Sequence, residues 1–346
     1  MDTASRSTHP WNQENIVKGS DAFQEFESTV VTAYFHIPSK RPRSFYEEYM
    51  ELMLEINDAM VIFTQPDMVG FITERRANKM DRTVIIPIPD FSLSVQIMPY
   101  LSEEEEESFW ADQYTRYSTM TPAVESWKLY KLWLAKTWFV TKSIELNPFH
   151  SSTYVWCDIG NFRNKKEHWR GRNMVSKFIP NLLSTKPSMV FQATKEYFTQ
   201  PRMPENSPWV HPHDNYISGS IIAGEEKSWI FFYKKLQHSL EEYRRRDIPF
   251  IDDQHILLST CLQNPNLCTF VKYDDTELST YEVGEHLLDN QSLYEGDQIW
   301  WTFQGGSPLT HYGHAYAVFK YVLYHGGDFD LWWPGKDGDA EMVPLE

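Results

Sequence analysis

Three short apolar runs, at residues 28–35, 59–64 and 83–88, most constrain what this chain can fold into. Each is rich in Val, Ile, Thr and aromatic residues and reads as a buried strand. Between the first and second lies a helix-length stretch with Phe45, Tyr49, Leu52, Met53 and Ile56 at helical spacing. A polar segment with Arg75, Arg76 and Lys79 separates the second from the third. Strand, helix, strand, helix, strand in this rhythm predicts a parallel sheet built from right-handed crossovers.

A fourth run, Tyr154-Val155-Trp156-Cys157-Asp158-Ile159-Gly160, ends differently. Its front half is another buried strand, but it finishes on an acid and then a glycine. A buried strand gains no packing from such an acid, because an ionised carboxylate is costly to desolvate unless paired or metal-bound. In open α/β sheets ligands sit just beyond the carboxyl ends of the strands. Asp158 is therefore a candidate metal or phosphate-handling residue, set against the plain alternative of an acid in a turn.

Length and charge narrow the function. The 346 residues suffice for one large domain with ample core, and 41% apolar content is that of a globular chain. A formal charge of −16 disfavours nucleic-acid binding, which depends on neutralising phosphates with Lys and Arg. No run approaches a membrane span, and the polar N-terminus has no hydrophobic signal segment. Three cysteines, Cys157, Cys261 and Cys268, show no disulfide framework and no zinc spacing. The cytoplasm, a reducing compartment, is the expectation; a Golgi lumen setting needs an anchor removed from the chain. Aromatic content of 15%, with 13 Trp, permits stacking on sugar rings.

The remaining chain completes one two-lobed domain with no internal repeat. Residues 1–27 read as a polar arm, 28–160 as one half, 161–328 as the other, and 329–346 as a peripheral extension. The acids at 103–107 read as a solvated helix face or loop. A long helix is predicted from Thr121, with Thr121 as N-cap and Pro122 at its first position, ending at Asn147-Pro148. Trp127, Tyr130, Leu134 and Trp138 mark its main stripe, with Leu132, Trp133 and Phe139 elsewhere, so burial on several sides is expected. Arg163, Lys165, Lys166, Arg170 and Arg172 follow the acid. Residues 217–224 form a strand of small residues, where a close approach is feasible. A helix with Trp229, Tyr233, Leu236, Leu240 and Tyr243 comes next, then Asp252-Asp253-Gln254 opening another.

These residues in this order resemble the HtrL/YibB-like family of GT-A-type glycosyltransferases. The match rests on 30–35 with the basic loop (Lys40, Arg41, Arg43) and helix behind it, on 61–64, and on Asn147-Pro148-Phe149 leading to Trp156-Cys157-Asp158-Ile159-Gly160 and Arg163. Gly219, Ala223-Gly224 and Asp252-Asp253-Gln254 complete it, over roughly residues 28–275. The resemblance implies a GT-A-like (Rossmann-like) α/β fold, a mostly parallel central sheet flanked by helices. The first half, to residue 160, would bind the nucleotide sugar and the second the acceptor. It implies transfer of a sugar from a nucleoside-diphosphate donor to a hydroxyl of a glycan or other acceptor, assisted by Mn²⁺ or Mg²⁺.

The implied site follows residue by residue. In GT-A enzymes an Asp-x-Asp motif at a strand end binds the cation; here it reads Asp158-Ile159-Gly160, without the second acid. Another ligand often comes from a C-terminal His, which makes His311 and His314 candidates. Thr32, Ala33 and Tyr34 stand where the fold receives the nucleotide base. Lys136 is expected to reach the nucleotide or its phosphates, against snorkelling to solvent. Arg163 is expected to pair with a phosphate or a sugar carboxylate. Gly219 and Gly224 would let a sugar approach closely, and Trp209, His211 and His213 would line the acceptor cleft. Of Asp252 and Asp253 one would cap its helix and the other, with Asp253 preferred, act as general base in an inverting displacement. Two other classes compete. One is a non-catalytic nucleotide-sugar or carbohydrate-binding protein on the same fold, favoured by the missing acid. The other is a dinucleotide oxidoreductase, disfavoured because no Gly-x-Gly-x-x-Gly follows the first strand.

Overall fold

The computed structural model describes residues 16–19, 24–38, 42–122, 124–160, 175, 183, 188–193, 209–210, 217–271, 331–334 and 340–341. Ten strands appear among them: β1 (Val17–Lys18), β2 (Ser28–Tyr34), β3 (Ala59–Thr64), β4 (Thr83–Pro87), β5 (Thr153–Cys157), β6 (Met189–Ala193), β7 (Ile217–Glu225), β8 (Cys268–Val271), β9 (Leu331–Pro334) and β10 (Ala340–Glu341). They form one sheet in the order β1-β4-β3-β2-β5-β7-β6-β8-β9-β10. β2 pairs in parallel with both β3 and β5, and β3 with β4. β7 runs antiparallel between β5 and β6, and β6 is parallel to β8. This is the mostly parallel, helix-flanked α/β sheet that the resemblance implies. The segment at Val17–Lys18, read as part of a polar arm, pairs with β4 as an edge strand.

The crossovers place helices on both faces. Helices α1 (Arg43–Leu54) and α2 (Val69–Arg75) connect β2 to β3 and β3 to β4. The chain then returns to the middle of the sheet through α3 (Phe91–Ser94), α4 (Glu103–Tyr117), α5 (Trp127–Leu134) and α6 (Lys136–Leu146). Right-handed connections in opposite directions along a sheet lie on opposite faces. Strand alternation follows suit. Val31, Ala33, Phe63, Tyr154 and Trp156 join one core cluster with Phe139 of α6, while Val30, Ile62 and Val155 are equally buried on the reverse face. With no exposed face, β2, β3 and β5 read as continuous apolar runs. Two further helices, α7 (Glu226–Arg245) and α8 (Gln254–Gln263), extend the first cluster through Trp229, Phe232, Leu236, Ile256 and Leu257.

The long helix predicted from Thr121 is two shorter ones. Ser126, not Thr121, is the N-cap of α5, accepting from Lys128 N at 3.3 Å. Thr121 closes a 3₁₀ turn instead, and its carbonyl accepts from Val124 N at 2.9 Å. The chain breaks again at Ala135, so Lys136 begins a new helix rather than lying mid-helix. Asn147 ends α6 in a left-handed conformation, φ 34° and ψ 58°, where a C-cap Asn is tolerated. The acidic run at 103–107 is not wholly solvated. Glu106 is fully buried and pairs with buried Lys131 at 3.2 Å. Its carboxylate accepts from the backbone of Ile97 and Met98 and from the Trp110 indole, which satisfies the charge a run of glutamates gave no reason to bury. No described helix is long and apolar enough to cross a membrane.

The cysteine expectation is corrected. Cys261 of α8 and Cys268 of β8 form a disulfide, with Cα atoms 5.6 Å apart, because the turn at Pro265–Leu267 folds the chain back on itself. The cysteine count therefore no longer argues for a reducing compartment. Alkylation of unfolded, unreduced protein is expected to modify Cys157 alone, and all three sulfurs after reduction. Replacing both bridged cysteines by alanine should cost about 2–3 kcal/mol in urea unfolding for so short a loop. Labelling of three cysteines without reductant would show that the bridge is not formed.

Candidate functional site

Asp158 follows β5 directly, at the centre of the sheet. Its backbone N–H donates to Ser220 O at 2.9 Å, carrying the β5–β7 ladder one step past the strand. Trp156 and Asp158 share a face by alternation, and the Trp156 Nε1–H donates to Asp158 Oδ1 at 2.8 Å. Lys136 Nζ lies 3.2 Å from the same oxygen. Both donors take Oδ1; Oδ2 has no partner among the described residues. The side chain is 38% exposed, whereas Lys136 is 4% exposed.

Lys136 continues inward. Its ammonium donates to Gly219 O at 2.7 Å and lies 2.6 Å from Asp253 Oδ2. The break at Ala135 makes this possible, because it puts Lys136 on the first turn of α6, beside the strand ends. The pairing of β6 with β7 slips between Phe191 and Gln192, from Ile222 to Ser218, so residues 219–221 of β7 bulge out of register with β6. Bulges of this kind re-aim groups at the rims of sheets. A Cβ on Gly219 would overlap Asp253 Oδ2 and come within 2.8 Å of its Cγ. Glycine is thus required at 219, where the group it admits is the Asp253 carboxylate. Gly224 likewise faces Met189 Sδ and the Trp229 indole.

One cation and two carboxylates make a cluster of net charge −1. Burial by itself would push the Lys136 pKa down; the charges of Asp158 and then Asp253 outweigh it, and the net shift is upward. Burial raises the Asp253 pKa, and the opposing pull of Lys136 does not cancel it. Asp252 points elsewhere. Its Oδ1 contacts His255 Nδ1 at 2.6 Å and accepts from the backbone N–H of His255 at 3.3 Å, so it ties down the first turn of α8. Burial opposes ionisation of Asp252, but His255 and the turn's N–H groups prevail and lower its pKa. Asp253 is the formal N-cap residue but makes no capping bond. At 6% exposure, it lies against Gly219 with the Lys136 ammonium beside it.

The predicted base-binding trio divides. Ala33 packs into the core cluster on the Trp156 face. Thr32 and Tyr34 project from the other face. The Thr32 Oγ1 and Tyr34 hydroxyl are buried and make no hydrogen bond among the described residues. Burial pushes the Tyr34 phenol up to about 12, against the nearby charge of Arg43. The parallel register Val31↔Trp156 brings the end of β2 level with the turn after β5. At Gly160 in that turn, the nearest atom to an added Cβ is Tyr46 Cδ1, at 4.0 Å. Arg43, from the basic loop, opens α1 and pairs with Glu47 at 2.6 Å and Asp67 at 3.2 Å. Trp209 is buried, edge-on to Tyr243. Lys40, Arg41, Arg163, Lys165, Lys166, Arg170, Arg172, His211, His213, His311 and His314 lie outside the described residues.

A divalent cation, implied by the resemblance, finds one fitting ligand here. Among the described residues no three His, Cys, Asp or Glu side chains converge on a common point. Asp158 Oδ2, at a strand end, has no partner among the described residues, and one carboxylate oxygen suits a cation that takes its other ligands from phosphates and water.

A family model matches residues 26–297 and carries the description "Bacterial protein of unknown function (HtrL_YibB)". The chain belongs to the HtrL/YibB family. Protein HtrL of Escherichia coli (strain K12) is 22% identical over 272 residues, covering 69% of this chain and 86% of that relative. Two solved structures overlap it loosely. One is the 4-diphosphocytidyl-2C-methyl-D-erythritol synthase of Anaerococcus prevotii DSM 20548, with TM-score 0.34 and 11% identity over 74% of this chain and 90% of that one. The other is mouse xyloside xylosyltransferase 1 in its apo form, with TM-score 0.39 and 8% identity over 82% and 99%. The family description assigns no reaction, so the chemistry of this HtrL/YibB member is argued from its own residues.

Proposed function

We propose that this protein is a nucleotide-sugar-dependent glycosyltransferase, with the donor lying across the ends of β2 and β5. The observation that carries it is the half-bound carboxylate of Asp158. One oxygen is fixed by Trp156 and Lys136, and the other is presented at the rim of a mostly parallel sheet, where such folds take ligands. In the proposed reaction the bond from the anomeric carbon to the diphosphate breaks, and the electron pair leaves with the diphosphate. The acceptor hydroxyl oxygen bonds to that carbon, and its proton passes to solvent water. Charge grows on the leaving diphosphate, and Mn²⁺ or Mg²⁺ at Asp158 Oδ2 would supply the stabilisation. Lys136 offsets the charge of Asp253 and fixes the orientation of Asp158. We assign Asp253 to positioning, a reading that its burial and its pairing with Lys136 support.

The unpartnered hydroxyls of Thr32 and Tyr34 support a nucleoside pocket beside the turn. A buried polar group without a partner costs about 1–3 kcal/mol, and a bound base or ribose would supply the missing bonds. Tyr34→Phe is therefore expected to leave unfolding stability unchanged or raised, and to weaken nucleotide binding about tenfold. Urea unfolding and calorimetric titration with UDP and GDP check the two halves. Equal nucleotide affinity in variant and parent would remove the hydroxyl from the site.

The test of the proposal is a thermal-shift screen of nucleotide sugars with Mn²⁺, followed by donor hydrolysis. A donor at 100 times its Kd stabilises the fold by about 2.7 kcal/mol. If no nucleotide sugar raises the melting midpoint, the reading fails. One observation favours a second reading, a non-catalytic donor-binding protein: Gly160 stands where the second acid of Asp-x-Asp is expected. Stabilisation by a donor with no measurable hydrolysis or transfer would select it.

A further inference from the structure

The Lys136 ammonium sits where a metal ion would find ligands. Three oxygens from three separate elements converge on it: Asp158 Oδ1 at 3.2 Å, Asp253 Oδ2 at 2.6 Å and Gly219 O at 2.7 Å. Asp253 Oδ2 is fully buried, and the ammonium at 2.6 Å is its partner among the described residues. Two carboxylates and a backbone carbonyl are the hard oxygen ligands that Mg²⁺, Mn²⁺ and Ca²⁺ take. The bulge at residues 219–221 turns the Gly219 carbonyl inward, and the absent Cβ lets the Asp253 carboxylate close the set.

We infer that Lys136 is the resident cation of a three-oxygen site formed by Asp158, Asp253 and Gly219, and that it confines any divalent ion to the outer oxygen of Asp158. The first clause stands on the geometry alone; the second rests on the transferase reading. With the ammonium in place, free Mn²⁺ meets a single carboxylate oxygen among the described residues and binds weakly. A nucleoside diphosphate must bring further ligands before the ion is held. Exchanging the lysine for methionine removes the charge and keeps an unbranched side chain able to fold aside. Both carboxylates and the carbonyl then become available to a divalent ion.

The experiment is a titration of parent and Lys136→Met with Mn²⁺ alone, by calorimetry and by the electron paramagnetic resonance of free Mn²⁺. It is repeated with UDP or GDP present. The variant is expected to bind Mn²⁺ alone at least about tenfold more tightly than the parent, since ligand charge count sets the affinity of such sites. Asp253→Asn added to the variant should abolish the gain. Should Lys136→Met be unfolded without metal, millimolar Mn²⁺ is expected to restore its cooperative melting. A folded variant with no gain, an unfolded one that Mn²⁺ does not restore, or a parent that already binds Mn²⁺ alone as tightly as the variant would each overturn the inference. A parent that binds no nucleoside diphosphate even with Mn²⁺, alongside a variant that gains the metal, would end the transferase reading and still uphold the lysine as a built-in cation.

Discussion

Asp158→Asn is expected to lower turnover of the nucleotide-sugar donor by about 100- to 1,000-fold, the loss that follows removal of one group stabilising developing charge. The fold should hardly notice. The asparagine carbonyl can still accept from the Trp156 indole, and Lys136 keeps its closer partner, Asp253, at 2.6 Å. With the Asp158 side chain 38% exposed, solvent screens most of what the pair contributes to stability. The urea midpoint should therefore stay near that of the parent while donor hydrolysis collapses. Parallel losses in both would mean that the carboxylate serves folding, and unchanged hydrolysis would remove it from the site.

Gly219→Ala is expected to be the most damaging single methyl group in the structure. The added carbon meets the Asp253 carboxylate, which is short, buried and held by Lys136, so nothing nearby can swing away cheaply. Either β7 shifts or the ion pair opens. Overpacking costs about 1–3 kcal/mol, and opening a buried pair about 3–5 kcal/mol. A loss of about 3 kcal/mol in urea unfolding is the expected result, together with loss of donor binding. Gly224→Ala, on the same strand, is the control. Its closest contact is Met189 Sδ at 2.8 Å, the far part of an adaptable side chain, and a loss of about 1 kcal/mol should suffice. Equal losses at the two glycines would show that the Asp253 contact is not what requires glycine at 219.

The elements most legible in the sequence were those whose signal is local. The residues of β2, β3, β4 and β5 are apolar because both faces of each strand are covered, and no pairing information is needed to see it. The strand-end acid at 158 was legible for the same reason, as a polar residue where the pattern predicts burial. Local signals also misled. Thr121-Pro122 has the chemistry of a helix start, yet Ser126 caps the helix, because tertiary packing decides which of two adequate caps is used. The spacing of Cys261 and Cys268 showed nothing until a turn brought the sulfurs together.

By itself, then, the sequence determined the buried strands β2 to β5, the parallel crossovers and the acid that marks the rim. Hydrophobic periodicity and cap chemistry act within a few residues and can be read without coordinates. Only the tertiary structure decided the partners of that acid. Lys136 reaches Gly219 across 83 residues of chain, and the paired carboxylates come from the turn after β5 and from the start of α8. Such convergence depends on strand order, on one bulge and on a helix break at Ala135. None of these leaves a periodic trace in the chain, because each is fixed by what packs against it rather than by its neighbours in sequence.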